Sequence, residues 1–341
     1  MSNKPTALLN AIDKIRGHLH LPDVKDFADQ IRNGDRSALA MAFSFLESSN
    51  LEHFHYGLQL LSLHKSKSNL SFRIGITGVP GVGKSTLIES LGLYYLNEGH
   101  RVAVLAVDPS SPVSGGSILG DKTRMQQLSM HMNAFIRPTA AARALGGVAG
   151  CTKLAIQLCE MAGYDRIIVE TVGVGQSEVA VHGMTDMFVL LMLAGAGDQL
   201  QGMKRGIVEL CDAMVITKSD GDNVAAAQRA KAEYTGALHL LAPKTNGWTP
   251  EIVTASSITP LGINEVTNLF SKFMKFVTER GLKESNRHCQ DTTWLKNELM
   301  EMAFKQWMAE LHPVSHEEII GKALNDGDSI AQVFLNMISK R

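Results

Sequence analysis

Nine residues, Gly78-Val79-Pro80-Gly81-Val82-Gly83-Lys84-Ser85-Thr86, constrain this chain more than any other stretch. They come after an apolar run, Phe72 to Thr77, that reads as a buried strand, and they precede Leu87 to Leu96, which reads as a helix. The pattern G-x-x-x-x-G-K-[ST] between a strand and a helix is a phosphate-binding loop. Glycine opens backbone angles closed to other residues and lets N–H groups approach an anion. Those N–H groups form a nest at a helix N-terminus, where the helix dipole also favours negative charge. In this pattern Lys84 reaches the β and γ phosphates and Ser85 ligates Mg²⁺.

Beyond the loop the chain alternates strands with helices, the signature of an α/β fold with a mostly parallel sheet flanked by helices. Arg101 to Asp108 is a continuous apolar strand that ends in a carboxylate. Strand carboxyl ends form the ligand crevice of open parallel sheets, so Asp108 is expected to face the phosphates. Tyr164 to Glu170 repeats this design. Glu170 then reads as a second carboxylate on the metal side, the alternative being a residue that only caps the next helix. The loop after it, Thr171-Val172-Gly173-Val174-Gly175-Gln176-Ser177-Glu178, places a Gly173 N–H to meet the γ phosphate. Met187 to Ala194 and Ala213 to Ile216 are further buried strands.

The second of these closes in Thr217-Lys218-Ser219-Asp220. A strand leading into [N/T]-K-x-D reads guanine: the Asp accepts from the N1 and exocyclic amino hydrogens, and the Lys stem lies along the ring. Adenine lacks that donor pair and would leave buried polar groups unpaired. Ile252 to Ser257 ends a last strand, with backbone N–H groups of Ser256 and Ser257 available to the guanine oxygen.

The flanks differ. Residues 1–68 show helical spacing, with Phe27 and Ile31, then Leu39, Ala42, Phe43 and Leu46, continued around Leu58 and Leu61. Asn33-Gly34-Asp35 reads as a turn and helix start. The polar segment Lys65 to Asn69 marks the boundary to a central domain at 69–283, and residues 284–341 return to helical spacing. Within that tail, Ile330, Val333, Phe334, Met337 and Ile338 form an apolar stripe that either packs internally or pairs with a second subunit.

Composition narrows the classes. With 33 basic against 34 acidic residues there is no basic excess, so no nucleic-acid partner is expected. The longest apolar run, Met187 to Gly197, falls short of the roughly 18 residues of a membrane span. The four cysteines form no C-x-x-C and read as reduced thiols, and His18, His20, His53, His55 and His64 read as solvated side chains. A cytoplasmic protein without a membrane partner is expected, or one of the mitochondrial matrix if the source is eukaryotic.

Taken with these motifs, four longer strings resemble the methylmalonyl-CoA mutase-associated GTPases, also known under the older label of an arginine/ornithine-transport kinase. They are Val107 to Pro112, Gly115 to Met125, Glu170 to Glu178 and Leu200 to Lys204. The resemblance implies a P-loop GTPase with an N-terminal helical extension and a C-terminal helical dimerisation arm. It implies a homodimeric G-protein chaperone for an adenosylcobalamin-dependent mutase, one that gates cofactor loading and protects or rescues the mutase. GTP, GDP and Mg²⁺ would be its ligands, with Asp108, Asp121 and Glu170 around the metal and Lys84 and Ser85 at the phosphates. A further switch from Leu193 to Lys204, including Asp198 and Gln201, would respond to the mutase. Many members carry Asn where Thr217 stands. No D-x-H-x-x-G occurs here, so cobalamin would sit on the partner alone.

Hydrolysis would be in-line attack of water on the γ phosphate, with charge stabilised by Lys84, Mg²⁺ and loop N–H groups. The residue after Gly173 is Val174, which can neither donate nor accept, and Gln176 is the candidate to orient the water. Slow intrinsic turnover is therefore expected, on the order of 10⁻⁴ to 10⁻² s⁻¹ as in unassisted G proteins. Three other classes compete: a kinase of a transport protein, a nickel-insertion GTPase and a nucleotide-binding scaffold without turnover. The first would need an acceptor site and the second Cys/His clusters, neither of which is evident in the sequence.

Overall fold

Among the described residues, seven strands form one sheet in the order β3-β2-β4-β1-β5-β6-β7, and every neighbouring pair is parallel. The computed structural model describes residues 21–64, 71–107, 125–139, 147–171, 177–194, 205–239, 244, 246–256 and 262–311. The strands are β1 (Phe72–Gly78), β2 (Val102–Val107), β3 (Ala134–Thr139), β4 (Arg166–Thr171), β5 (Met187–Leu193), β6 (Ala213–Thr217) and β7 (Glu251–Thr254). β1, β2, β4 and β6 are buried along their whole length, which is why their middles read as apolar runs without a polar–apolar alternation. β1 sits at the centre of the sheet, between β4 and β5. The chain runs outward from β1 to β2 and β3, returns to insert β4, then continues on the other side of β1 with β5, β6 and β7. The crevice at the carboxyl ends of β4, β1 and β5 lies where that order reverses.

Among the described residues, three helices precede the sheet: α1 (Val24–Arg32), α2 (Arg36–Leu46) and α3 (Leu51–Ser62). Each begins on a side-chain cap. Asp23 accepts from Lys25 and Asp26, Asp35 from Ser37 and Ala38, and Asn50 from Glu52. Gly34, at φ 86°, makes the turn before the Asp35 cap that the sequence marks. The stripe residues Phe27, Ile31, Leu39, Ala42, Phe43, Leu46 and Leu61 are all buried, whereas Leu58 faces outward at 37 % exposure.

β3 is a strand that apolar patterning does not mark, because Arg137 and Pro138 interrupt it. Its place explains both residues. It is an edge strand, where proline costs no ladder bond on the open side. α2 covers it: Phe43 stacks on Phe135 at 5.4 Å, and the Arg137 guanidinium lies 4.9 Å over the Phe43 ring while pairing with Glu47.

The remaining helices among the described residues are α4 (Lys84–Asn97), α5 (Gln126–Met130), α6 (Gly147–Met161), α7 (Glu178–His182), α8 (Arg205–Leu210), α9 (Val224–His239), α10 (Ile263–Glu279) and α11 (Leu282–Leu311). Two compact units result, one ending at Gln290 and the other beginning at Asp291. In the second unit, Leu295, Leu299, Met300 and Met302 of α11 are exposed, from 52 % to 72 %. The stripe from Ile330 to Ile338 lies outside the described residues. No described helix is long and apolar enough to cross a membrane, and all four cysteines are free thiols.

Candidate functional site: a phosphate loop between two strand-end clamps

β1 ends in Gly78 and α4 starts at Lys84, so residues 79–83 turn the chain through the crevice. Two glycines are needed here for different reasons. Gly78, at φ 153°, has no room for a Cβ, which would stand 2.8 Å from the Leu191 carbonyl oxygen and 3.0 Å from Val82 Cγ1. Gly83, at φ 99°, has open space around it and is set by backbone angle alone. Buried Val82 props the loop from beneath. The Lys84 ammonium folds back along it, donating to the carbonyls of Gly78 at 2.8 Å and Val79 at 3.3 Å. A lysine so held is only 8 % exposed.

One residue on, the Ser85 hydroxyl donates to Glu170 Oε1 at 3.1 Å. Ser85 is on the first turn of α4 and Glu170 is the penultimate residue of β4, buried at 8 % exposure. β1 and β4 are registered Ile76 to Glu170, which brings the acid level with the start of the loop. A hydroxyl and a carboxylate converging beside a phosphate loop are the hard oxygen donors that Mg²⁺ takes. The described residues hold no cluster of three or more His, Cys, Asp or Glu, so this donor pair is what they offer a metal.

The base side is built at the ends of β6 and β7. The Thr217 hydroxyl lies 2.6 Å from the Val82 carbonyl and 3.2 Å from that of Met192, so the guanine-motif threonine is tied directly to the phosphate loop. An asparagine is therefore not needed for that contact, although only its longer amide would reach further. Lys218 comes next at φ 55°, the single non-glycine among the described residues in the left-handed region. That strained turn swings Ser219 and Asp220 across to β7. Ser219 N donates to the Ala255 carbonyl at 3.2 Å, and the buried Ser256 hydroxyl donates to Asp220 Oδ2.

The structure thus brings together Gly78 to Thr86, Glu170, Thr217, Lys218, Asp220 and Ser256. Asp108, Asp121, Gly173, Val174, Gln176, Asp198, Gln201, Lys204 and Ser257 lie outside the described residues. Sequence reading missed one pair at the site. The Thr171 hydroxyl, at the last position of β4, donates to Thr77 Oγ1 of β1 at 2.8 Å, with both residues buried. No spacing signal could reveal a contact across 94 residues; only the strand pairing does so.

A central parallel sheet, a glycine loop closing on Lys84 and Ser85, and a T-K-S-D turn tied to that loop define a P-loop GTPase, an enzyme that hydrolyses GTP. The model of the family "Methylmalonyl Co-A mutase-associated GTPase MeaB" matches residues 39–312, and the chain belongs to that family. It is 44 % identical to "GTPase ArgK" of Escherichia coli over 80 % of this chain and 82 % of that protein. It is also 44 % identical to the "Methylmalonic aciduria type A homolog, mitochondrial" of Mus musculus, over 84 % of this chain and 71 % of that one. A solved structure described as an LAO/AO transport system kinase superposes with a TM-score of 0.75 at 32 % identity, covering 94 % of this chain and 98 % of that one.

Proposed function

We propose that this GTPase is a Mg²⁺-dependent G-protein chaperone for an adenosylcobalamin-dependent methylmalonyl-CoA mutase, gating cofactor loading and protecting or reactivating the mutase. The observation that carries the reading is the family match over residues 39–312, which includes every described residue of the site. In this reading the nest from Gly78 to Thr86 binds the phosphates, Thr217, Lys218 and Asp220 hold guanine, and Ser256 with Ser257 completes the base pocket. Ser85, Asp108, Asp121 and Glu170 hold Mg²⁺, which when bound neutralises charge on the β and γ phosphates. Lys84 is already poised at the loop and reaches a phosphate by exchanging its bonds to the Gly78 and Val79 carbonyls. Gly173 and Gln176 serve the γ phosphate and the attacking water. Asp198, Gln201 and Lys204 belong to the segment that senses the mutase, and cobalamin is held by the mutase alone.

The protein acts as a homodimer, a reading supported by the exposed Leu295, Leu299, Met300 and Met302 on α11. It works in the cytoplasm, or in the mitochondrial matrix if the source is eukaryotic. Intrinsic turnover is slow and rises on the mutase. The test is co-purification with an adenosylcobalamin mutase in GDP and in a non-hydrolysable GTP analogue, with single-turnover GTP hydrolysis measured alone and with the mutase. A nucleotide-dependent complex and faster hydrolysis are expected. No complex in either nucleotide, with hydrolysis indifferent to the mutase, would sink the proposal. The likeness to a structure described as a transport kinase favours a second reading, phosphoryl transfer to a protein. Labelled γ phosphate appearing on a protein rather than as free phosphate would select it.

A further inference from the structure

We infer that Thr171 is a positioning residue for GTP hydrolysis: its hydroxyl bond to Thr77 fixes the carboxyl end of β4 against the strand that carries the phosphate loop. The inference rests on the reading of Glu170 as a metal-side acid and adds what holds that acid in place. Thr77 immediately precedes Gly78, and Thr171 comes directly after Glu170. The β1–β4 register, Ile76 to Glu170, continues by one rung to set Thr77 opposite Thr171. Side chains alternate along a strand, so the threonine pair and the Glu170 carboxylate lie on opposite faces of the sheet. On one face Glu170 meets Ser85 of α4 at 3.1 Å, and on the other Thr171 meets Thr77 at 2.8 Å. The end of β4 is pinned from both faces where it meets the loop.

Packing alone does not ask for hydroxyls here. Both residues are buried, at 1 % and 2 % exposure, beside the buried aliphatic residues Ile74 and Ile76 of β1 and Ile167, Ile168 and Val169 of β4. Valine has nearly the shape of threonine and carries no polar atom to satisfy. The Thr171 hydroxyl donates its proton to the Thr77 oxygen, a directional link that a valine pair lacks. The link joins the two strand ends whose spacing sets the distance between the phosphate loop and Glu170.

The test compares Thr171→Val, Thr171→Ser, the double variant Thr77→Val/Thr171→Val and Glu170→Gln in the full-length protein. Three quantities are read: single-turnover GTP hydrolysis, the Mg²⁺ concentration that half-maximally slows release of a fluorescent GDP, and GDP affinity without Mg²⁺. The double variant guards against misfolding, because it replaces both hydroxyls by apolar groups of the same shape. Thr171→Val and the double variant are expected to hydrolyse about tenfold more slowly and to need about tenfold more Mg²⁺, the scale of lost support behind a metal ligand. Their Mg²⁺-free GDP affinity stays that of wild type, and Thr171→Ser restores both defects. Wild-type Mg²⁺ dependence in the double variant overturns the inference. So does a loss of Mg²⁺-free GDP binding equal to the loss of hydrolysis, which is the mark of a purely structural residue. If Glu170→Gln leaves the Mg²⁺ requirement unchanged, the reading of Glu170 itself fails, an outcome distinct from failure of Thr171→Val alone.

Discussion

Replacing Arg287 by methionine removes the fork from a buried ionic network at the amino end of the sheet while keeping most of its apolar stem. Arg287 Nε and Nη2 donate to the two oxygens of Asp186 at 2.6 and 2.5 Å, and Nη2 also donates to the Ser71 carbonyl and hydroxyl at 3.1 Å. Nη1 is 3.5 Å from Glu160. The side chains of Arg287 and Asp186 are 6 % and 2 % exposed. Breaking a buried pair on one side costs about 3–5 kcal/mol, because the remaining charge stays desolvated. Here the lower end applies. Asp186 keeps one bond from the Arg73 backbone N–H at 2.9 Å, and Glu160 keeps the paired donors of Arg73 at 2.8 and 2.9 Å. A loss of about 3 kcal/mol corresponds to a fall of about 5 °C in melting midpoint for a unit that runs to Gln290. Thermal melts of the full chain followed by circular dichroism measure it. The double variant Asp186→Asn/Arg287→Met should recover part of the fall, since it discharges the orphaned acid. A midpoint for Arg287→Met within a degree of wild type, or a double variant that melts no higher than the single, would refute the reasoning.

Two other groups carry expected outcomes of their own. Asp220→Asn exchanges an acceptor for a donor opposite the guanine N1 hydrogen and should lower GTP affinity by about 10⁴-fold while favouring xanthosine triphosphate, as a site left with mismatched buried polar groups does. Nucleotide competition reads it, and an unchanged ranking of the two nucleotides rejects the base assignment. Burial pushes the Glu160 carboxyl up, but the charge and hydrogen bonds of Arg73, with Arg287 and Ser71, carry it below the ordinary carboxylate range. The stability Glu160 contributes is therefore present above its unfolded value of about 4.3 and is lost as pH falls through the lower folded one. Melting midpoints from neutral pH down to about 3 should fall less steeply below pH 4.3 in Glu160→Gln than in wild type, and parallel curves would count against it.

The central strands and the phosphate loop were legible because their signals are local. An unbroken apolar run marks a strand buried on both faces, and G-x-x-x-x-G-K-S between strand and helix needs no distant partner to be recognised. β3 was not legible, since its Arg137 and Pro138 make sense only at a sheet edge covered by Phe43. Leu58 fitted the apolar spacing of α3 yet faces outward, because Tyr56 makes the contact with Phe27 of α1 and Phe45 of α2 instead. The charged network was invisible for a different reason. A lone Arg73 inside the apolar run of β1 looks like an interruption until Glu160, Asp186 and Arg287 are seen to converge on it from separations of 87 residues or more. At the site, T-K-S-D announced a base-reading turn, but nothing local announced that Thr217 bonds the Val82 carbonyl 135 residues away.

β1 ties these findings together. At its amino end, the Ser71 carbonyl accepts from Lys283 and Arg287 of α11, and Arg73 pairs with Glu160. At its carboxyl end, Thr77 holds β4, and Gly78 packs against Leu191 of β5 while its carbonyl receives Lys84. Four residues of strand, about 13 Å, separate Arg73 of the ionic anchoring from Thr77 at the phosphate end. Perturbations that far apart with no shared partner act almost independently. The ionic end can therefore be tuned for stability, and the seating of the first turns of α11 with it, without moving the loop. The hydroxyl end can be tuned for nucleotide chemistry without loosening the core. A strand fully buried and paired on both sides is stiff enough to serve both ends, which is a physical reason for the phosphate loop to grow from the centre of the sheet rather than from its edge.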